Sequence, residues 1–289
     1  MSTALVPVLL SFIWSLNPAV VSKWGKKSPP LLFTSVRALF ALLFLVPALF
    51  IFEAKSTAFS ANKLPVGVLL AIFLSAVTGP GIGDAAYVKS IQLLGGPLAV
   101  TISYTYIFFT ELIAFLLGVE KVTQWALLGS IVAFVGVVVA VAAKNSHVKL
   151  EGVAYALVAA VNWGLATVLI RYARDYLDPV ALSIVRLSIV VVVMLLASFL
   201  LKEELSVNRG FFVAALVTGV LGWGVGMALF IYSIYSIGAS TTAIATALTP
   251  ILSQITSRLI ARERVSLRLL LGALVVGAGI AISNMHQNT

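Results

Sequence analysis

The chain has no cysteine in its 289 residues. That excludes disulfide staples, a thiolate nucleophile and any cysteine-ligated metal. It has two histidines, His147 and His286, both near the ends of apolar runs, which argues against a histidine metal site; no metal and no other cofactor is expected. Charge is scarce as well. Only 10% of residues are Asp, Glu, Lys or Arg, against about 25% in an average soluble domain. What fills the space is apolar: 61% of the chain is hydrophobic, and the mean hydropathy is +1.11. A water-soluble fold needs a polar shell that this composition cannot supply. An ordinary cytosolic enzyme, a disordered regulator and a secreted disulfide scaffold are all excluded. The net charge is +9. Its basic residues sit mostly in short breaks between apolar runs, which points to loops facing anionic lipid and cytosol; no nucleic-acid partner is expected.

A membrane-spanning helix needs about 20 mostly apolar residues. Ten such runs follow one another, at 3–22, 31–52, 65–89, 97–118, 124–143, 151–170, 180–201, 211–235, 239–260 and 268–285. The first has no charged leader and no small-residue cleavage site, so it is read as a span and not a signal peptide. The connections are short and leave no room for a soluble domain. The runs are too long and too little alternating for a β-barrel. The expected fold is therefore all-α, a ten-helix polytopic membrane protein.

The sequence repeats itself. An offset of 149 carries Trp14 to Trp163, Leu16 to Leu165, Pro30 to Pro179, Val36 to Val185 and Arg37 to Arg186. An offset of 143 carries Gly79, Gly81, Gly83 and Ala85 to Gly222, Gly224, Gly226 and Ala228, and Glu120, Gly129 and Gly136 to Glu263, Gly272 and Gly279. The matches gather on Trp, Pro, Arg, Gly and Glu, which chance agreement among Leu and Val would not select. The chain thus reads as two five-helix repeats, 1–147 and 148–289. Five is odd, so the second copy enters the membrane from the opposite side and the repeats are inverted. That architecture belongs to secondary transporters, with a site near the membrane midplane between the halves.

Particular residues carry a resemblance. Gly238-Ala239-Ser240 through Thr249-Pro250, then Arg262-Glu263-Arg264-Val265, Gly272 and Gly279, resemble the second half of an EamA-type transporter of the drug/metabolite transporter superfamily. Gly95-Gly96-Pro97, Val119-Glu120-Lys121-Val122, Gly129 and Gly136 repeat the pattern. Ile107 stands where Pro250 would have its counterpart, so spans 4 and 9 depart from strict symmetry. The resemblance implies a ten-helix bundle with a cavity lined mainly by spans 1, 3, 4, 6, 8 and 9, with spans 5 and 10 peripheral. It also implies export or exchange of small metabolites such as amino acids, without ATP hydrolysis.

Polar groups at membrane depth are costly and need a partner or a watery cavity. Two acids look intramembrane, Asp84 and Glu111. Asp84 follows Gly79-Pro80-Gly81-Ile82-Gly83, where proline removes a backbone hydrogen bond and glycine permits close approach. Asp84 with Arg37 could form an ion lock on one face, and Glu111 with Arg186 one on the other. Alternatively each arginine snorkels to the headgroups. Asp84 and Glu111 are also the candidate proton carriers. Thr242, Thr246, Thr249, Ser253 and Thr256 form a hydroxyl stripe on one face of span 9, expected to line a cavity unless it bonds neighbouring helices. Trp14, Asn17, Asn162 and Trp163 sit mid-span, where interfacial belting does not explain tryptophan. With Asp84, Tyr87, Tyr104, Thr246 and Thr249 they are the candidate substrate-binding residues, and Trp223 is a weaker one. Glu120-Lys121 and Glu263-Arg264 are read as structural, each capping the next helix or setting a turn.

Lys and Arg number eleven on the odd-numbered loops and five on the even-numbered ones. That bias puts both termini outside, whereas the resemblance puts them in the cytosol. The expected function is a secondary active transporter, an exporter or exchanger of small organic metabolites such as amino acids or lipophilic amines. It would work by alternating access with proton exchange, as a monomer in the plasma membrane. The alternative is a flippase for lipids or lipid-linked sugars. An intramembrane enzyme would need a mid-span nucleophile–base pair or metal cluster, and no catalytic residue is expected.

Overall fold

A computed structural model describes residues 5–52, 64–118, 124–142, 148–204, 206–237, 242, 246 and 248–283. The features at Glu120-Lys121, His147, Gly238-Ala239-Ser240 and His286, and the junction between 147 and 148, lie outside the described residues. The described residues form ten helical spans and no strand: α1 Leu5–Trp24, α2 Pro30–Phe52, α3 Val66–Leu94, α4 Gly96–Leu116, α5 Gln124–Ala142, α6 Leu150–Ile170, α7 Pro179–Leu200, α8 Arg209–Ile237, α9 Leu248–Ile260 and α10 Leu267–Ser283. Six stretches, those of α2, α3, α4, α6, α7 and α8, are long and apolar enough to cross a membrane. Large apolar side chains such as Leu43, Phe73, Phe134, Leu196 and Phe199 are exposed on the outside of the bundle. A soluble protein would not tolerate that surface; a lipid-facing one requires it.

The expected start of the ninth span at 239, and most of the residues from there to Leu248, lie outside the described residues. The other span boundaries fall close to those expected, with one correction. The third span runs on to Leu94, so Lys89 lies inside a helix and not in a loop. One residue, Gly95, separates it from α4, and its φ of +86° is a conformation that glycine adopts without strain.

The two repeats pack crosswise. α1 lies against α8 and α9 of the second half, and α6 lies against α3 and α4 of the first. α2 packs along α7, while α5 and α10 pair with each other. That last pair is brought together by glycine. A Cβ on Gly136 would fall 2.6 Å from the Val276 backbone nitrogen, and one on Gly279 would fall 2.5 Å from the Gly129 carbonyl oxygen. Helices can approach this closely only without side chains, the usual means of association in lipid.

α3 and α8 share a further irregularity. Each widens to π-helical geometry midway, at Val77–Gly83 and Thr218–Val225. In α3, Pro80 lacks the N–H that a regular turn needs. α8 has no proline there, yet widens at the same place in the repeat. What both have is glycines against which the other half packs. A Cβ on Gly83 would sit 2.9 Å from Trp163 Nε1, and one on Gly226 2.6 Å from Trp14 Nε1. Gly79 meets Ala166 as its counterpart Gly222 meets Asn17. The close approach of α1 and α6 is the feature common to both widenings; such bulges recur at functional sites.

Two apolar clusters result. One gathers Val20, Phe33, Leu94, Leu98, Ile102 and Phe211, toward the face where α1 ends and α2 begins. The other gathers Leu10, Leu45, Ile72, Leu182, Met194 and Ile231, toward the opposite face. A cavity lies between them.

On the first of these faces, polar fasteners join the halves. Pro29 precedes α2 and has no side chain that could cap it; Glu203, after α7, accepts from the Leu31 and Leu32 backbone N–H groups at 2.9 Å each. Asp178 caps α7 by itself at the equivalent position. Glu263 makes structural contacts, but not as a cap of the next helix. It reaches not the next helix but the start of α4 in the other half, accepting from Gly96 N–H at 3.4 Å, while Ser266 caps α10.

Candidate functional site

A cavity with about 690 Å³ of empty space, including that open to the outside, lies between the halves. It is built mainly from the middles of α1, α2, α3, α4, α6, α7 and α8. Trp14, Asn17, Asp84, Tyr87, Tyr104 and Trp163, all candidates from the sequence, line it. So do Arg37 and Arg186.

Arg37 and Arg186 are each the eighth residue of their helix and each only 2% exposed. Neither reaches the surface as a snorkelling side chain would. Arg37 Nη1 donates to Asp84 Oδ1 at 3.0 Å. Its Nε points at the Thr218 carbonyl at 3.4 Å, and its guanidinium lies over the Trp223 ring at 4.0 Å. The second Asp84 oxygen accepts from Trp163 Nε1 at 3.2 Å. Burying a charge is costly unless it is paired and hydrogen-bonded. Here the carboxylate has a partner on each oxygen, and the guanidinium has an ion pair, a carbonyl and an aromatic face.

Arg186 does not pair with Glu111, contrary to the second expected lock. Its Nε donates to Ser75 Oγ at 3.1 Å, its Nη2 to the Ser75 carbonyl at 2.9 Å, and its Nη1 points at Met227 Sδ at 3.5 Å. The reason is geometric. Glu111 lies on α4, which packs on α6, whereas Arg186 on α7 faces α3 and α8. Glu111 is buried but lies outside the cavity lining.

The environments of the two arginines are related by the repeat, with differences at three places: Ser75 against Thr218, Pro80 against Trp223, and Asp84 against Met227. The offset of 143 that carries Gly83 to Gly226 also carries Ser75 to Thr218 and Asp84 to Met227. Each arginine therefore meets residue 75 or 218 of the opposite half, and residue 84 or 227 of its own. The acid of the first half is a methionine in the second.

Aromatic rings form the walls. Tyr87 stands at 4.9 Å and Tyr106 at 6.0 Å from the Trp163 ring, both edge-on. Trp14 packs on Phe230 at 5.0 Å and donates to the Gly222 carbonyl at 2.9 Å. That carbonyl belongs to the widened turn of α8.

Three expected binding residues fall elsewhere. Asn162 is turned away, donating to the Val158 carbonyl of its own helix at 2.8 Å. Thr246 lies behind the wall, bonded to Tyr106 Oη at 3.0 Å. Thr249 Oγ1 faces the Ser11 carbonyl at 3.5 Å, and Thr256 Oγ1 the Ser15 carbonyl at 2.6 Å. Of the hydroxyl stripe, Thr249 and Thr256 face the α1 backbone and Thr246 faces Tyr106 of α4; none of its five residues lines the cavity. Residues not singled out from the sequence also line it, among them Ile170, Met227 and Phe230; Ser75 supports Arg186 from behind. The 143 offset applied to Asp84 was a usable signal for Met227. Among the described residues no group of three His, Asp or Glu side chains could hold a metal ion.

Comparison with known proteins agrees with this architecture. The model of the EamA-like transporter family matches residues 1–142 and 150–285. The chain is similar to an "Uncharacterized transporter" of Archaeoglobus fulgidus, 25% identical over 94% of each chain. It is similar to the "Uncharacterized transporter YvbV" of Bacillus subtilis, 26% identical over 98% of this chain and 91% of that one. A "Probable amino-acid metabolite efflux pump" of Salmonella typhimurium is 24% identical over 96% of this chain and 92% of that one. One solved crystal structure superposes with a TM-score of 0.71 at 17% identity, covering 98% of this chain and 96% of the other, which is a likeness of fold.

Proposed function

Because the chain belongs to the EamA-like transporter family, we propose that it is a secondary active exporter or exchanger of small organic metabolites, amino acids or lipophilic amines among them. The observation that carries this reading is the cavity between the halves, with its buried Arg37–Asp84 pair and aromatic walls. Its mix of apolar walls and few polar groups is that of small-molecule sites generally. The name of the Salmonella relative speaks for amino-acid-like cargo.

The crossed packing supports a mechanism of alternating access. Each half holds the other's first helix against its widened one, so the halves can rock as units about the cavity. On the face carrying Glu203 and Glu263, those two carboxylates bind helix starts of the opposite half. Opening that face breaks these bonds, and closing the other face compensates. Asp84 is the proposed proton-exchanging group, since its two partners come from different halves and a rocking motion changes their distance. Glu111 is a second buried acid available for the same role. The protein works as a monomer in the plasma membrane, without catalysis.

Reconstitution tests this. Proteoliposomes loaded with unlabelled amino acids should take up labelled substrate by counterflow, and an imposed pH gradient should drive net movement. Scrambling of headgroup-labelled lipid without solute counterflow would replace this reading with that of a flippase.

A further inference from the structure

The cavity is not electrically balanced. Among the described residues, those that line it with ionised groups are two guanidiniums, Arg37 and Arg186, and one carboxylate, Asp84. Asp84 is committed to Arg37 at 3.0 Å and to Trp163 at 3.2 Å. Arg186 is as deeply buried as Arg37, yet its bonds go to a hydroxyl, a carbonyl and a thioether. The Asp84 charge reaches Arg186 only through space and is shared with Arg37, to which Asp84 is directly bonded. A buried cation with only a shared counter-ion is unfavourable, and its cost falls when a second anion arrives.

The repeat shows where that anion belongs. Arg37 and Arg186 occupy equivalent positions, and each is braced by equivalent residues, Thr218 and Ser75. In the first half the Nη1 edge of the arginine meets the Asp84 carboxylate. In the second half the same edge meets Met227, which lines the cavity. The second half retains the cation and its brace but has lost the internal counter-ion. Gly79 keeps this corner open, since a Cβ there would fall 3.0 Å from Arg186 Nη2.

Resting on the reading of this cavity as the substrate site, we propose that Arg186 binds a carboxylate of the substrate, which occupies the place Asp84 holds in the first half. The guanidinium offers charge-assisted donors suited to a carboxylate. The body of the substrate then lies among Trp14, Phe230, Trp163 and Tyr87, which favour a flat apolar group. The substrate class is thus an organic carboxylate with an apolar or aromatic body, as a free acid or as an amino-acid zwitterion. Simple amines are disfavoured by the surplus positive charge.

The test uses four matched probes: 3-phenylpropionate, L-phenylalanine, L-phenylalanine amide and 2-phenylethylamine. Binding to the purified protein is measured by calorimetry, and uptake in proteoliposomes. The two carboxylates should bind, and the two cations should bind at least roughly tenfold more weakly. Arg186→Gln should weaken carboxylate binding by roughly 100-fold. Met227→Asp supplies the missing counter-ion and does not depend on Arg186→Gln folding. It should abolish the preference for carboxylates while the protein stays folded. Equal or tighter binding of the cations overturns the proposal, as does no carboxylate binding at all, or unchanged carboxylate affinity in Met227→Asp. The two readings fail separately. Cations that bind and accumulate would sink the carboxylate site and leave the transporter. Carboxylates that bind without crossing would do the reverse.

Discussion

Asp84 and Trp163 belong to different repeats and meet through a hydrogen bond of 3.2 Å from the indole nitrogen to Oδ2. The equivalent tryptophan, Trp14, spends its N–H on the neutral carbonyl of Gly222 at 2.9 Å. Hydrogen bonds to charged groups contribute about 1.5–3 kcal/mol and neutral ones about 1 kcal/mol. Trp163→Phe should therefore lower stability more than Trp14→Phe, although the lost atoms are the same. Melting of both variants in detergent checks this; equal losses would contradict it.

The Arg37–Asp84 pair gives a second test. Removing one partner of a buried pair leaves the other uncompensated, at a cost of about 3–5 kcal/mol. Asp84→Asn should thus destabilise strongly. The double variant Asp84→Asn with Arg37→Gln should recover much of that loss, because no charge is left stranded. Neither should show pH-driven transport. A thermal-stability cycle over the four proteins reads the coupling, and simple additivity would deny it.

Gly83 and Gly226 test the crossed packing. An alanine methyl at either place would overlap an indole of the other half, at 2.7 Å from Trp163 Cδ1 or 2.6 Å from Trp14 Nε1. Overpacking of this kind costs about 1–3 kcal/mol. Gly226→Ala should be relieved by Trp14→Phe, which removes Nε1, but not by Trp163→Phe. Gly83→Ala should be relieved by neither, because the Thr78 carbonyl oxygen would lie 2.8 Å from the added Cβ and phenyl keeps a ring carbon where Trp163 has Cδ1. Thermal melting of the paired variants would show whether relief follows this crossed rule.

Among the described residues, none from α5 or α10 lines the cavity. Gly136→Val should lower the melting temperature, since its Cβ would fall 2.6 Å from the Val276 nitrogen. The affinity of the protein that remains folded should not change. A shifted dissociation constant would mean that this pair shapes the cavity after all.

The spans, the repeat and the Arg37–Asp84 pair were legible because each rests on a signal that sequence carries directly: run length, offset identity, and charge at depth. The pairing of Glu111 with Arg186 was not. Parity assigns a residue to one face of the membrane but does not say which neighbour its helix turns toward. The stripe of Thr249 and Thr256 shows the same limit, since a period of 3.6 identifies a face and not what covers it; here the α1 backbone does. Asn162 and Trp163 are adjacent, yet one turn angle separates a residue bonded to its own helix from one in the cavity. The widening of α3 and α8 depends on contacts between the halves, which local propensity does not contain.

Absence of cysteine makes the most direct measurement simple. Thr167 lines the cavity from α6, and Thr167→Cys would give the chain its single thiol. Membrane-impermeant maleimide is then applied to one side or the other of sealed, oriented vesicles, with and without a substrate gradient. The thiol should be labelled from either side over time, with conditions that raise labelling from one side lowering it from the other. Labelling from one side under every condition, or rising from both together, would contradict a cavity that the two halves expose in turn.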